Sequence, residues 1–86
     1  MKNNTKYNDK LNVLGTKIKF YREENKLSQA QLSNKLQLLG IDIPKNSLQR
    51  LEKGQRIIKD YELAGLSKVF NISVDILLKD FIEELD

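Results

Sequence analysis

The sequence predicts an all-α fold, a compact bundle of five helices, and three observations support this prediction. Apolar residues recur three and four positions apart in successive segments, which is the period of an amphipathic helix. These segments are separated by residues that start or stop helices, such as Ser28, Gly40, Pro44 and Gly54. At 86 residues, the chain is long enough for one small domain with a modest core.

The beginning of the chain is predicted to contain an arm followed by the first helix. Residues 1–10 contain Asn, Lys, Thr and Tyr without an apolar period, so we expect a flexible basic arm or an ordinary frayed terminus. Residues 11–86 are expected to form the single domain. Its first helix is predicted from Leu11 or Asn12 to Asn25. The buried stripe of this helix is expected to be Leu11, Leu14, Ile18 and Tyr21.

The stretch 27–55 is predicted to form two short helices joined by a turn. Ser28 and Gln31 have the spacing of a capping box at the start of the first of these helices, and Gly40 is expected to end it. The hydroxyl of Ser33 is expected to bond to the carbonyl one turn back. The apolar face of this helix is expected to be Leu32, Leu36 and Leu39.

The second helix of this stretch is predicted near 45–53, with Pro44 at its first position and Gly54 at its end. Leu48 and Leu51 lie three positions apart and are expected to point inward. A contiguous polar and cationic face is formed by Lys45, Asn46, Gln49 and Arg50. Such a face offers the donors and acceptors that base edges in the major groove of DNA require, although an ordinary solvated surface would look the same.

Two further helices are predicted after Gly54. Asp60 is expected to cap a helix over 61–70, and Asn71 is expected to end it in the left-handed conformation. Ser73 is expected to cap the last helix, 73–86. The apolar residues expected to face the core in this part of the chain are Ile57, Ile58, Leu63, Leu66, Val69 and Phe70.

Positive charge is concentrated in the first two thirds of the chain. Residues 1–59 contain thirteen Lys and Arg residues and five Asp and Glu residues, which gives a net charge of +8. Residues 60–86 contain two Lys residues and seven Asp and Glu residues, which gives a net charge of −5. A basic half and an acidic half are typical of a phosphate-binding surface with a separate partner-facing end, but such an asymmetry also arises by drift.

The composition argues against several classes of function. The chain has no Cys and no His, so it has no disulfide framework, no thiolate metal site and none of the commonest general bases. No phosphate loop, paired-acid cleft or metal cluster can be identified, so we expect neither an enzyme nor a cofactor. No apolar run is long enough to cross a membrane, and no signal peptide is recognisable, so a cytoplasmic location is predicted.

A set of anchor residues occurs in a characteristic order between Leu14 and Leu78. The set is Leu14-Gly15, Ile18, Arg22, Leu27-Ser28-Gln29, Leu32, Leu36, Leu48, Leu51-Glu52-Lys53-Gly54 and Ile72-Ser73-Val74-Asp75-Ile76-Leu77. In this order and spacing the sequence resembles the Cro/CI-type helix-turn-helix family, also called the xenobiotic-response-element type. The resemblance implies a lambda-repressor-like DNA-binding domain.

The resemblance also implies a function and a set of site residues. We expect sequence-specific binding of double-stranded DNA by a transcriptional regulator, specifically a repressor, acting as a homodimer on a near-palindromic operator. Arg22 and Glu52 are expected to form a structural salt bridge. Residues expected to read bases are Lys45, Asn46, Gln49 and Arg50. Residues expected to contact phosphates are Gln29, Ser47, Lys53, Gln55 and Arg56, and the basic arm could follow the backbone or a minor groove.

Two parts of the sequence depart from the family pattern. The stretch 37–44 is longer than the usual tight turn, so either the first helix of the pair extends or the loop bulges. The last helix continues beyond Leu78 with an apolar stripe at Phe81, Ile82 and Leu85. This stripe could form a homodimer, bind another protein or fold back on the core. The alternative function is therefore a protein-interaction module, such as an antitoxin-like or adaptor helical bundle.

Overall fold

Five helices make up the computed structural model, which describes residues 7–85. They are α1 (Gly15–Glu24), α2 (Gln29–Leu38), α3 (Lys45–Glu52), α4 (Asp60–Phe70) and α5 (Val74–Glu84). α3 packs against α1 and α2, α4 packs against α1 and α2, and α5 packs on α4. The predicted all-α bundle of five helices is confirmed. No helix within residues 7–85 is long and apolar enough to cross a bilayer.

The core of the bundle consists largely of the leucines and isoleucines that the helical spacing identified. Two residues predicted to be inside are wrong: Leu39 is 45% exposed and Ile57 is 54% exposed. Leu39 is the C-cap of α2, where the chain leaves the helix, so the helical period no longer directs it inward. The loop after α3 turns Ile58 inward instead of Ile57. The fully enclosed apolar residues are Leu14, Ile18, Leu32, Leu36, Ile43, Leu48, Leu51, Leu66, Phe70 and Leu77.

Four of the five helices end with the same backbone motif. In α1, α2 and α3 the residue after the C-cap has a positive φ, and in α4 the C-cap Asn71 itself does. This conformation turns the next amide back onto the last turn of the helix. At the end of α2, for example, the Gly40 N–H donates to Gln37 O (2.9 Å) and the Ile41 N–H donates to Leu36 O (3.0 Å). The predicted terminators Gly40, Gly54 and Asn71 are confirmed at these positions, and Lys26 ends α1 in the same way.

The start of α2 has the predicted capping box. Ser28 Oγ accepts from the Gln31 N–H (3.0 Å), and Gln31 Oε1 accepts from the Ser28 N–H (2.8 Å). Each helix start otherwise leaves its first amides without a partner in the helix, and this reciprocal pair satisfies two of them. Ser73 caps α5 as predicted, because its hydroxyl accepts from the Ile76 N–H (3.2 Å).

The start of α4 differs from the prediction by one residue. Lys59 is the N-cap and Asp60 is the first helical residue, so Asp60 is not the cap. The capping interaction comes instead from Glu62, whose Oε1 accepts from the Lys59 N–H (3.0 Å). Glu62 reaches back in this way because its carboxylate is held against the body of the domain by Arg56.

α1 begins at Gly15, four residues later than the earliest predicted start. Residues 11–14 run along the C-terminal end of α3 instead, where the Leu11 N–H donates to Gly54 O (2.8 Å). α1 then crosses α3 at Gly15, where an added Cβ would lie 2.6 Å from Glu52 O and 2.7 Å from Leu51 O. Only glycine allows the two backbones to approach this closely.

The long turn between α2 and α3 is anchored in the core. α2 continues to Leu38, and residues 41–44 then lead into α3. Ile43 is completely enclosed, and Ser33 Oγ donates to Ile43 O (2.7 Å). The expected bond from Ser33 to the carbonyl one turn back is therefore wrong, because the hydroxyl satisfies a carbonyl of the turn. Ile41 packs closely against Gly65 of α4, which fixes the other side of the turn.

The part of the predicted arm that the structure describes forms a tight turn. Tyr7 and Lys10 exchange two backbone hydrogen bonds (2.8 and 2.9 Å), and Asn8 and Asp9 between them both have positive φ. This is the geometry of a two-residue hairpin turn, in which Asn and Asp are tolerated. The Tyr7 ring packs edge-on against Phe81 of α5 at 5.0 Å. Residues 1–6 of the arm, like Asp86 at the end of the predicted last helix, lie outside the described residues.

Candidate nucleic-acid interface

α3 has one face in the core and one in solvent. Leu48 and Leu51 are completely enclosed between α1 and α2, as their spacing predicted. The residues between them cannot reach the core because they lie on the other side of an eight-residue helix. The four residues that we expected to read bases are all exposed on this side: Lys45, Asn46, Gln49 and Arg50.

The N-terminal end of α3 has free hydrogen-bonding capacity. Pro44 is its N-cap, with extended backbone and no capping side chain, and is not the first helical residue as predicted. The first amides of α3 have no helical partner, and no side chain within residues 7–85 caps them. Aligned peptide dipoles also give this end partial positive charge. The end of α3 next to Lys45 and Asn46 can therefore bind an anion such as a phosphate.

The residues expected to contact phosphates occupy different environments. Lys53 and Gln55 are exposed at and just beyond the end of α3, and Ser47 is half-buried on its first turn. Gln29, the first residue of α2, donates its side-chain amide to Glu52 Oε1 (3.1 Å). Its backbone N–H, among the first amides of α2, and the second hydrogen of its side-chain amide remain available to an anion.

The expected partners Arg22 and Glu52 form an ion pair. Arg22 Nε donates to Glu52 Oε2 (2.6 Å) and Nη2 donates to Oε1 (3.1 Å), while Nη1 donates to Leu27 O (2.9 Å). The hydrogen bond to Glu52 outweighs the desolvation of the guanidinium, so the pKa of Arg22 is raised above its ordinary value and the side chain stays charged. With the bond from Gln29, this cluster joins α1, α2 and the last residue of α3.

A second set of contacts holds the C-terminal carbonyls of α3. Asn12 Nδ2 donates to Leu51 O (3.1 Å) and to Arg56 O (2.8 Å), and Asn12 Oδ1 accepts from the Leu14 N–H (2.8 Å). Lys10 Nζ donates to Lys53 O (3.3 Å), which places a cation at the negative end of the helix dipole. The residues around Asn12 in the sequence do not predict these contacts. An Asn shortly before a helix is a signal for side-chain bonding to nearby amides, but its distant acceptors have no local signature.

Arg56 lies in a different environment from the other expected phosphate contacts. Its Nη1 and Nη2 donate to Glu62 Oε1 and Oε2 (3.0 and 3.1 Å), and Nη1 also donates to Ile57 O (3.3 Å); the residue is half-buried. Two of its five N–H groups, on Nε and Nη2, have no partner within residues 7–85, so any phosphate contact would use them. Burial favours a higher pKa for Glu62, but the bonds from Arg56 and the Lys59 N–H outweigh it. The pKa of Glu62 is therefore lowered.

The comparisons with known proteins agree with this arrangement. The helix-turn-helix family model matches residues 18–77. One similar solved structure is the crystal structure of the master regulator for biofilm formation SinR in complex with DNA. Its sequence is 30% identical to this chain, the TM-score is 0.65, and the match covers 77% of this chain and 98% of that chain. A chain of the SinR protein/SinI protein complex is 31% identical with a TM-score of 0.66, covering 86% of this chain and 68% of that one.

A comparison with curated protein sequences gives no match. The family model nevertheless spans most of the chain, from the middle of α1 to the middle of α5. It includes both helices of the motif, α2 and α3, and the turn between them. The chain therefore belongs to the Cro/CI-type helix-turn-helix family.

Proposed function

We propose that this protein binds specific sequences of double-stranded DNA and represses transcription at those sites. Membership of the helix-turn-helix family and the similarity to SinR support the general role, a DNA-binding transcription regulator. The observation that carries the proposal is the exposed polar face of α3. Residues 45–50 place amides, a primary amine and a guanidinium on one side of a helix, and the body of the domain leaves that side in solvent.

Each member of this face suits a different contact with DNA. Arg50 can donate two parallel hydrogen bonds to guanine O6 and N7, and Asn46 or Gln49 can pair with adenine N6 and N7. In helix-turn-helix complexes the N-terminal residues of the second helix contact base edges, so Lys45 and Asn46 would lie nearest the floor of the groove. Reading of bases by these residues is the specific part of the proposed interaction.

Phosphate contacts would supply much of the affinity. Lys53 and Gln55 lie at the exposed end of α3, while Ser47 and the backbone amides of Gln29 and its neighbours lie near the starts of the two helices. Cations and amides at these positions would fix the orientation of the domain on the duplex without reading sequence. Because each neutralised phosphate releases counterions, affinity should fall steeply as the salt concentration rises.

The protein is proposed to act in the cytoplasm as a homodimer built partly on α5. Ile82 is 52% exposed and Leu85 is 62% exposed on the last turns of that helix, whereas Phe81 is partly covered by Tyr7. A second copy could cover these two apolar side chains. Two-fold symmetry would place the two α3 helices roughly 34–36 Å apart, one turn of the duplex, on a near-palindromic operator.

The proposal is tested by selecting bound sites from a random DNA pool and measuring two variants on the selected operator and on random DNA. Arg50→Ala should weaken operator binding by on the order of 1–3 kcal/mol and relax the preference at one base pair. Lys53→Ala should weaken binding to both DNAs to a similar extent, because a phosphate contact is independent of sequence. Failure of the selection to enrich any sequence would contradict sequence-specific binding. Equal losses on both DNAs for both variants would contradict the assigned roles.

A second candidate function is a protein-interaction module of the antitoxin or adaptor type. The exposed apolar residues of α5 and the nearby acids Asp80, Glu83 and Glu84 favour it, and one similar structure is a complex between two proteins. The two candidates are separated by a gel shift on generic DNA at several salt concentrations. Salt-dependent binding supports the DNA-binding role, whereas the absence of a shift at low salt favours the interaction module.

A further inference from the structure

The C-terminal end of α3 is held through its backbone by a side chain from a distant part of the sequence. Asn12 donates one hydrogen of its amide to Leu51 O in the last turn of α3 and the other to Arg56 O in the following loop. These acceptors lie 39 and 44 positions along the chain from Asn12. The Asn12 oxygen accepts from the Leu14 N–H, so the amide is fixed on the segment that leads into α1.

Such a contact matters because the apolar packing of α3 defines its orientation only in part. The helix has eight residues, or about two turns, and its enclosed residues Leu48 and Leu51 lie on a single stripe. Contacts between apolar side chains are not directional, so they resist separation more strongly than rotation of α3 about its own axis. One acceptor of Asn12 lies in the last turn of α3 and the other in the loop that follows it. Because Asn12 holds both, it restrains α3 against rotation about its axis as well as against sliding along it.

The contact is also independent of the cluster around Glu52. Arg22 and Gln29 bind the Glu52 carboxylate, which is connected to the backbone of α3 through rotatable bonds. Asn12 binds carbonyl oxygens of the backbone itself. The Lys10 ammonium and the Leu11 N–H bind two further backbone carbonyls, those of Lys53 and Gly54. The segment before α1 thus restrains the backbone at the C-terminal end of α3, whereas Arg22 and Gln29 link the side chain of its last residue to α1 and α2.

We propose that Asn12 is a positioning residue for the reading of DNA sequence, although it lies on another segment and need not touch DNA. This inference rests on the proposed function. Bidentate bonds to base edges depend on direction and distance, so a small rotation of α3 weakens them. Phosphate contacts by long flexible side chains tolerate the same rotation. Loss of the Asn12 amide therefore lowers affinity for the operator and leaves affinity for random DNA nearly unchanged.

The test compares three full-length proteins on the operator selected from the random pool and on random DNA of equal length. Asn12→Ala should bind the operator roughly tenfold more weakly than the parent protein, with less than about a twofold change on random DNA. The slope of affinity against salt should stay the same, because no phosphate contact is lost. Asn25→Ala is the matched control. Asn25 also donates its side-chain amide to a backbone carbonyl, Tyr21 O (2.7 Å), but this acceptor lies in α1, so Asn25→Ala should change neither affinity.

A purely structural role for Asn12 predicts a different result. Partial unfolding would lower the fraction of active protein and reduce binding to both DNAs equally, so the ratio of the two affinities would not move. If Asn12→Ala does not fold, Asn12→Ser retains one donor for one carbonyl and should lose about threefold on the operator alone. An unchanged ratio in the folded variant would overturn the inference. A parent protein that prefers no sequence would instead overturn the proposed function on which it rests.

Discussion

The two ends of α3 are built in opposite ways. At the C-terminal end, protein donors bind the Glu52 carboxylate and the carbonyls of residues 51, 53 and 54. At the N-terminal end, Pro44 provides no capping side chain, and Lys45 and Asn46 are exposed. The first end is held by other parts of the chain, and the second leaves its polar groups to solvent or a ligand.

This difference shows how a short helix can be both well positioned and available. Hydrogen bonds made within the protein at the N-terminal end would have to be broken before a ligand could use the same amides. Restraint from the C-terminal end avoids that conflict. The same division explains the role of Ile43 and Ser33, which fix the turn just before α3 without occupying the amides of the helix itself.

The largest loss of stability is expected when the C-terminal end of α3 loses the carboxylate of Glu52. Glu52→Ala removes three hydrogen bonds and leaves Arg22 as an unpaired, nearly buried cation, at a cost of roughly 3–5 kcal/mol in the free energy of unfolding. Urea unfolding followed by circular dichroism measures this value. Asp80→Ala is the control, since it breaks the exposed pair with Lys17 and should leave the midpoint nearly unchanged. Similar losses in both variants would show that burial of the pair is unimportant.

A medium loss of stability is expected when Glu62 of α4 can no longer form its ion pair with Arg56 of the loop after α3, and this loss should depend on pH. Glu62 is only 2% exposed and its pKa is lowered below the ordinary value of 4.5, so its ionised form stabilises the fold. Its contribution is complete well above the ordinary pKa of 4.5 and is lost as the pH falls through the lower pKa of the folded state. Glu62→Gln should therefore cost about 2 kcal/mol at neutral pH, and the difference from the parent should shrink in acid.

This dependence is measured by urea unfolding at a series of pH values between neutral and acidic. Glu83→Gln, a change at an exposed acid on α5, provides the matched control and should follow the parent protein at every pH. A difference for Glu62→Gln that stays constant across the series would mean that ionisation of Glu62 does not stabilise the fold.

The smallest effect is expected at the N-terminal end, where fewer protein contacts exist to be lost. Ser33→Ala removes the bond to Ile43 O and should lower the free energy of unfolding by about 1 kcal/mol. The neighbouring exposed residue of α2, Asn34, serves as the control, because Asn34→Ala removes no contact with the turn. Thermal unfolding of the two variants gives the comparison. A loss for Ser33→Ala as large as that for Glu52→Ala would contradict the difference between the two ends.

Much of the fold follows from local patterns in the sequence. Ser28 and Gln31 define a helix start three residues apart, and Gly40, Gly54 and Asn71 stop helices through their own backbone preferences. The exposed side of α3 follows from its length and from the spacing of Leu48 and Leu51. These helix starts, helix ends and exposed faces depend on residues that are close in sequence, so the spacing of residues is enough to predict them.

The contacts that position α3 could not be predicted in this way. Nothing in the residues around Asn12 indicates that its amide bonds to carbonyls near Leu51 and Arg56, because the choice depends on how α1 and α3 meet. Glu62 lies among the apolar residues of α4, and this position is a signal in the sequence, because a buried carboxylate requires a partner. The charge and location of its partner, Arg56, suit a phosphate contact equally well, so the sequence alone does not distinguish the two roles.

The contact at Gly15 limits which changes in the chain can compensate for one another. The atoms facing this glycine belong to the backbone of Leu51 and Glu52, so no smaller neighbouring side chain can make room for a new methyl group. If every residue were randomised and binding-competent clones were recovered, position 15 should return glycine alone. The enclosed leucines, in contrast, can exchange volume with one another. Residues can be substituted where the helices of this domain contact one another through side chains, but not where they contact one another through the backbone.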